Sequence, residues 1–242
     1  METKQCQDDR PQAGYYLRIN ATAHSKDLPQ RIGRPRRGGP PVTSDPTNDI
    51  LAAAGRLFGE LGMAGTTMAR IAVEVGLQQS SIYYYFRNRE EIAVALVEQA
   101  NVVPLELIDR IIAEGGSPPQ MLHAFVRGDV AALCRLPFDI NDIHRIAARD
   151  RDRFAVYWQE RALLERKLSS IVRNGIDSGL FVRVKPRLAA LTIMANDEGL
   201  QNWFRLTSRA NADESARFLA DVTVRGLLAP GFELVDLIDN KV

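Results

Sequence analysis

The sequence predicts an all-α protein: an N-terminal three-helix, helix-turn-helix unit followed by a larger helical bundle, about nine helices in all. Three observations carry this. From about residue 45 to residue 229 apolar residues recur with the three-to-four spacing of a buried helical stripe. Persistent alternation with period two and glycine-flanked β-branched runs, the marks of strands, are missing. Glycine, proline and capping residues cut the pattern into helix-length pieces.

The first helix starts at Ser44 or Asp45 as N-cap with Pro46 in the first turn, and Ile50, Leu51, Ala54, Leu57, Phe58 and Leu61 form its stripe before Gly62. A short second helix runs from about Thr67 to Val75, capped by Thr66 or Thr67 and stopped by Gly76. A third spans about Gln79 to Phe86. Asn88 and Glu91 form a capping box for a longer helix, with Pro104 as a kink and "EGGSPP" as its end. Ser117-Pro118 opens the next helix and Pro137 interrupts the chain. A long amphipathic segment from about Asp150 to Asp177 stops near Gly179, and two substantial helices follow, Pro186 to about Arg209 and Asp213 to about Leu228.

The chain has 242 residues, 45% of them apolar and 25% charged, an ordinary globular balance. Its net charge is only +1, but residues 1–45 hold eight basic and five acidic residues, a net of +3. Residues 1–44 lack periodicity and are read as a flexible basic arm ending in "RIGRPRRGGPP". Cys6 and Cys134 form no CxxC pair, which fits a reducing compartment. With no apolar leader and no run of 18 apolar residues, the expectation is a cytoplasmic protein that does not span a membrane.

A helix-turn-helix needs a small residue on its first helix where the second crosses, a glycine in the turn and an apolar anchor on the second helix. Ala72, Gly76 and Ile82 supply these. Ile82 and Phe86, four residues apart, share the buried face of the third helix, so Ser80 and Tyr84 point the opposite way and Gln79 and Tyr83 lie on a flank. Three consecutive tyrosines on a helix cannot all face one core. A short exposed helix bearing Gln, Ser and Tyr suits the DNA major groove: Gln can pair with adenine, and hydroxyls bind phosphates. Arg89, at the next helix start, adds a positive charge to the phosphate clamp.

The stretch "ILAAAGRLFGELGMAGTTMARIAVEVGLQQSSIYYYFRNREEI", residues 50–92, resembles the DNA-binding domain of the tetracycline-repressor (TetR) family of bacterial regulators. The resemblance rests on Leu57, Phe58, Glu60 and Gly62, the paired Thr66 and Thr67, the Ile-Ala pair, the turn glycine and the Tyr-Tyr-Tyr-Phe block with a basic residue after it. It departs from the family in Gln78, where Ser is common, and in Arg89, where Lys is usual. The resemblance implies that Thr66 or Thr67, Tyr83 or Tyr84, and Arg89 touch the DNA backbone, while Gln78, Gln79, Ser80 and Ser81 lie where bases are read. "GRPRR", with Arg34, Arg36 and Arg37, resembles the minor-groove arms of some relatives.

The division that follows is residues 1–44 as arm, 45–92 as DNA-binding domain and 93–242 as effector-binding and dimerisation domain. The resemblance implies a homodimer on a palindromic double-stranded operator, held together by the last two helices, whose apolar residues cover more than one face. "IVRNGIDSGLFVRVKP", residues 171–186, matches the family's helix-G-x-x-x-G-x-F connection. The resemblance also implies that the central helices enclose a largely apolar pocket for a small effector, such as an acyl-CoA thioester, a steroid-like or aromatic acid or a drug. Phe125, Phe154, Trp158 and Trp203 are its candidate lining. An enzyme is disfavoured, since no GxSxG, Walker-type or GxGxxG loop and no paired carboxylates in a plausible site occur. No cofactor is called for, and the three histidines have no metal-ligand spacing. An architectural DNA-binding protein without effector would leave the bundle without a purpose.

Overall fold

The computed structural model describes residues 45–204 and 211–235. Ten helices occupy them: α1 (Pro46–Gly65), α2 (Met68–Glu74), α3 (Gln79–Ile82), α4 (Arg89–Gln99), α5 (Val102–Glu114), α6 (Pro118–Arg135), α7 (Ile140–Arg149), α8 (Ala155–Asp177), α9 (Pro186–Phe204) and α10 (Ala212–Arg225). The arm with Arg34, Arg36 and Arg37 lies outside the described residues, as do residues 205–209, where the penultimate helix was expected to end.

Local chemistry sets the first boundaries. Asp45 accepts from the Asn48 N–H at 3.1 Å and Pro46 takes the first turn, so Asp45 is the N-cap of α1. Gly62 adopts φ +70°, which bends the last turn of α1 away from the helix axis. Thr67 caps α2 by accepting from the Arg70 N–H. At its far end the Leu77 N–H reaches the Ala72 carbonyl at 2.8 Å and the Gly76 N–H that of Val73 at 3.1 Å, around a Gly76 with φ +67°. This paired closure needs a left-handed residue, and glycine adopts that conformation without strain.

Three boundaries depart from the sequence expectation. The helix expected over residues 79–86 is regular only to Ile82, after which Tyr83–Tyr85 continue as tight turns, the Tyr84 and Tyr85 N–H groups bonding three residues back. The long helix expected after Asn88 is two: α4 ends at Gln99, and Pro104 sits in the first turn of α5, where a missing N–H costs nothing, rather than at a kink. The carboxylate of Glu91 accepts from the Arg87 N–H instead of closing the box on Asn88, although Asn88 caps α4 as expected.

Two apolar cores result. The first joins α1–α4 with Phe138, α7 and the beginning of α8. The second joins α5, α6, α8, α9 and α10, with α6 at its centre. The G-x-x-x-G-x-F connection closes the second core. A methyl group on Gly175 would come within 2.8 Å of Cγ of Phe181 and nearer still to the ring, and Gly179 turns the chain with φ +74°. Phe181 then bridges to Leu228, the Val182 N–H donating to the Leu227 carbonyl and the Ala229 N–H to the Leu180 carbonyl.

Candidate DNA-binding surface and effector cavity

Ile82 and Phe86 are buried in the first core, as their spacing predicts, and Ala72 is closed off beneath them. Gln78, Gln79, Ser80 and Ser81 are all exposed. Tyr83 and Tyr84 are 48% and 63% exposed, whereas Tyr85 is half-buried against the core. The Tyr84 ring stands edge-on to Tyr85 with centroids 5.3 Å apart, so the inner tyrosine props the outer one. The opening of α3 has no side-chain cap at Gln78, which leaves that amide free to reach outward.

Of the paired threonines only Thr67 is exposed. Thr66 is fully buried, and its hydroxyl donates to the carbonyls of Leu57 and Gly62, both at 3.0 Å. It holds the bent end of α1 and has no hydroxyl to offer a phosphate, which corrects its place among the candidate contacts. Arg89 is partly engaged within the protein. Its Nη1 donates to the carbonyls of Ala64 and Thr66, at 3.3 and 3.1 Å, and its Nε to Glu90 at 3.0 Å, leaving Nη2 outside these bonds. Arg87, which the sequence reading passed over, is exposed, and its side chain makes no ion pair among the described residues.

A cavity of about 40 Å³ opens between the α4–α5 junction and helices α6, α7, α8 and α9. That is room for about two or three waters. Leu133, Leu136, Phe138, Leu164 and Met194 supply its apolar walls. Phe125, Phe154, Trp158 and Trp203 do not line it. Phe125 is fully buried in the second core and Phe154 in the first. Trp158 packs on α7 through its indole N–H and the Ala147 carbonyl, with Arg151 over its ring, and Trp203 is 48% exposed. Two of these aromatic residues fill the cores, and the cavity lies instead beside a cluster of polar groups.

Those polar groups form a linked cluster. Arg161 on α8 grips Glu198 on α9 through two bonds of 2.6 and 3.0 Å. His144 on α7 places Nε2 3.2 Å from Glu198 and meets the Tyr157 hydroxyl with Nδ1. Burial tends to raise the Glu198 carboxyl, but the bonds and charges of His144 and Arg161 hold it below the usual range. Asp129 on α6 lines the same cavity, and burial, reinforced by the Glu198 charge and offset by Arg161, pushes its carboxyl up to about 7. Asp197 is fully buried with both oxygens unpaired, and burial together with Asp129 and Glu198 raises it well above the ordinary range. Gln201 pins the ends of two helices, its amide donating to the Leu133 carbonyl and accepting from the Ile140 N–H.

The sequence reading placed none of His144, Asp129, Asp197, Arg161, Glu198 and Gln201 among its candidate site residues. A signal existed for Asp129: it falls on the stripe Leu122, Phe125, Val126, Val130, Leu133, where a charge is out of place. Among the described residues no group of three or more His, Cys, Asp or Glu could hold a metal ion, and no helix is long and apolar enough to cross a membrane.

Residues 50–96 match the family model for bacterial regulatory proteins of the tetR family, and residues 115–227 match the tetracyclin repressor-like C-terminal domain, together well over half the chain. The chain belongs to the TetR family. It is therefore a ligand-responsive, DNA-binding transcriptional regulator. The HTH-type transcriptional regulator BetI of Stenotrophomonas maltophilia is 28% identical over 194 residues, covering 76% of this chain and 92% of that protein. The solved ketosteroid transcriptional regulator KstR2 of Mycobacterium tuberculosis has a TM-score of 0.68 at 18% identity, over 77% of this chain and 97% of that one. AibR, solved in complex with isovaleryl coenzyme A and operator DNA, has a TM-score of 0.63 at 21% identity, over 75% and 97%. At those identities the structural likeness speaks for the fold, a helix-turn-helix head on a helical body.

Proposed function

We propose that this TetR-family regulator is a cytoplasmic repressor that binds a palindromic operator as a homodimer and is released when a small effector enters the cavity above α7. The exposure of Gln78, Gln79, Ser80, Ser81, Tyr83 and Tyr84 over a buried Ile82 and Phe86 supports the DNA half of the reading. Gln79 is the candidate base reader, and Thr67, Tyr83, Tyr84 and Arg89 are candidate phosphate contacts. One such head covers a single short half-site, so two are needed. Leu188 and Leu191 on α9 and Phe218 and Val222 on α10 are between 41% and 66% exposed, an apolar surface that suits the partner copy.

Phe138 supports the effector half. It lines the cavity and also packs against Gly55 of α1, so a ligand that widens the cavity moves a side chain resting on the head. The ligand must bind the released state better, by about 1–3 kcal/mol in typical cases. In AibR the same fold has been seen with a ligand and operator DNA together.

The test is fluorescence anisotropy on duplexes from the protein's own promoter, with sedimentation to count copies. Gln79→Ala should cost about 1–3 kcal/mol at one base pair of each half-site. Equal loss on every sequence would remove Gln79 from base reading, and a monomer on a single half-site would sink the dimer.

A further inference from the structure

The cavity carries an excess of buried acid that no described residue neutralises. Three carboxyl groups, of Asp129, Asp197 and Glu198, gather at one side, against the single permanent cation Arg161. That cation is already committed to Glu198 through both of its bonds. Asp129 is about nine-tenths buried, lines the cavity and makes no hydrogen bond among the described residues. Behind it Asp197 is fully buried with neither oxygen bonded. A buried polar group left unpaired costs on the order of 1–3 kcal/mol, and a native structure keeps such groups for a reason.

We infer that the effector presents a cationic nitrogen, an alkyl- or arylammonium group, to Asp129, its apolar body widening the cavity between Leu133, Phe138, Leu164 and Met194 as it enters. This rests on the effector reading given above and narrows it. An anionic head group would have to displace Glu198 from Arg161, and it would hold Asp129 in its protonated form rather than balance it. A neutral apolar molecule would leave both carboxyl groups unsatisfied. An ammonium donates N–H bonds to Asp129 and balances the acid at once, and charge-assisted bonds of this kind are the strong ones. Asp129 relieves the excess by holding a proton up to about pH 7. A cation would expel that proton. The charged and titratable groups around Asp129 are Asp197 and Glu198 on α9, Arg161 on α8 and His144 on α7, and binding should tighten from pH 6 to pH 8 as Asp129 itself gives up its proton.

The experiment uses three matched probe series on the full-length protein: n-alkylamines, 1-alkanols and n-alkanoates of four to eight carbons, measured by calorimetry in phosphate and in Tris and by release of promoter DNA. Amines should bind at least about tenfold tighter than alcohols of equal length, the worth of one charge-assisted bond. The two buffers should reveal a proton released near pH 7. Asp129→Asn should bring amines and alcohols within about threefold, and Asp197→Asn should weaken amines less, as a charge held behind the first. Alcohols or alkanoates binding as well as amines, or an amine preference that survives Asp129→Asn, would overturn the inference. So would the failure of every amine to bind. Release of DNA by alkanoates with no effect of amines would leave the effector reading standing and remove the cation. Amine binding without DNA release would do the reverse.

Discussion

Phe138 lies directly against Gly55, so that a methyl group on Gly55 would fall 2.9 Å from the Cβ of Phe138 and closer still to its ring. Head and body therefore meet through a contact with no slack. Gly55→Ala should force Phe138 aside, destabilising the protein by about 1–3 kcal/mol, the usual cost of overpacking. Thermal unfolding gives that cost, and the effector concentration needed for DNA release gives the coupling. A variant with unchanged release would show that Phe138 does not transmit the signal.

Thr66 and Thr67 differ in burial and should differ in consequence. Thr66→Val removes the donor to Leu57 and Gly62, and the two carbonyls it leaves should cost about 1–3 kcal/mol of stability. DNA affinity of the folded fraction should hardly change. Thr67→Ala should lose about 1 kcal/mol of capping and weaken DNA binding as well.

Among the candidate phosphate contacts, charge and hydroxyl separate by salt. Arg89→Ala should weaken binding to all sequences and flatten the dependence of log K on log salt by about 0.9 if the guanidinium neutralises one phosphate. It should also loosen the turn at Ala64 and Thr66, so stability falls with it. Tyr84→Phe should weaken binding uniformly and leave the slope alone, since a phenol releases no counterion. A slope untouched by Arg89→Ala would assign that residue to the turn only.

The raised carboxyl of Asp129 gives stability a pH dependence of definite sign. The folded protein keeps this proton up to about pH 7, while the unfolded chain loses it in the ordinary carboxylate range. The native state thus binds more protons in that window, and stability falls as pH rises from about 4 to about 7, then levels. Asp197 acts in the same direction. Asp129→Asn should therefore melt higher than the parent at pH 8 and nearly equal to it at pH 4, a difference that calorimetry reads directly. Equal melting at both values would mean that Asp129 is not raised.

The exposed face of α3 was legible because helical periodicity, capping threonines and a turn glycine act over a few residues. Ile82 and Phe86 four apart decided which tyrosines stand outside before any tertiary contact was considered. The cavity was not legible for the opposite reason. It depends on Asp129, Arg161 and Glu198, far apart in sequence and brought together by helix packing, and aromatic content pointed to Phe125 and Phe154, which fill cores. The division of one expected helix at Ala100–Asn101 was hidden as well, because an apolar stripe can run through a change of axis without a break in period. Thr66 was misplaced since a hydroxyl on an element boundary reads the same whether it faces solvent or caps a bend from within.

Since the first core takes in Phe138, Ile143, Phe154 and Tyr157 besides the helices of the head, the DNA-binding part is not a detachable cartridge. Grafting residues 45–92 onto a foreign sensor would strip Leu96, Val97 and α7 from beneath it and bare an oily underside. Exchange between relatives should succeed only where the seam is cut beyond α7, so that both walls of that contact travel together.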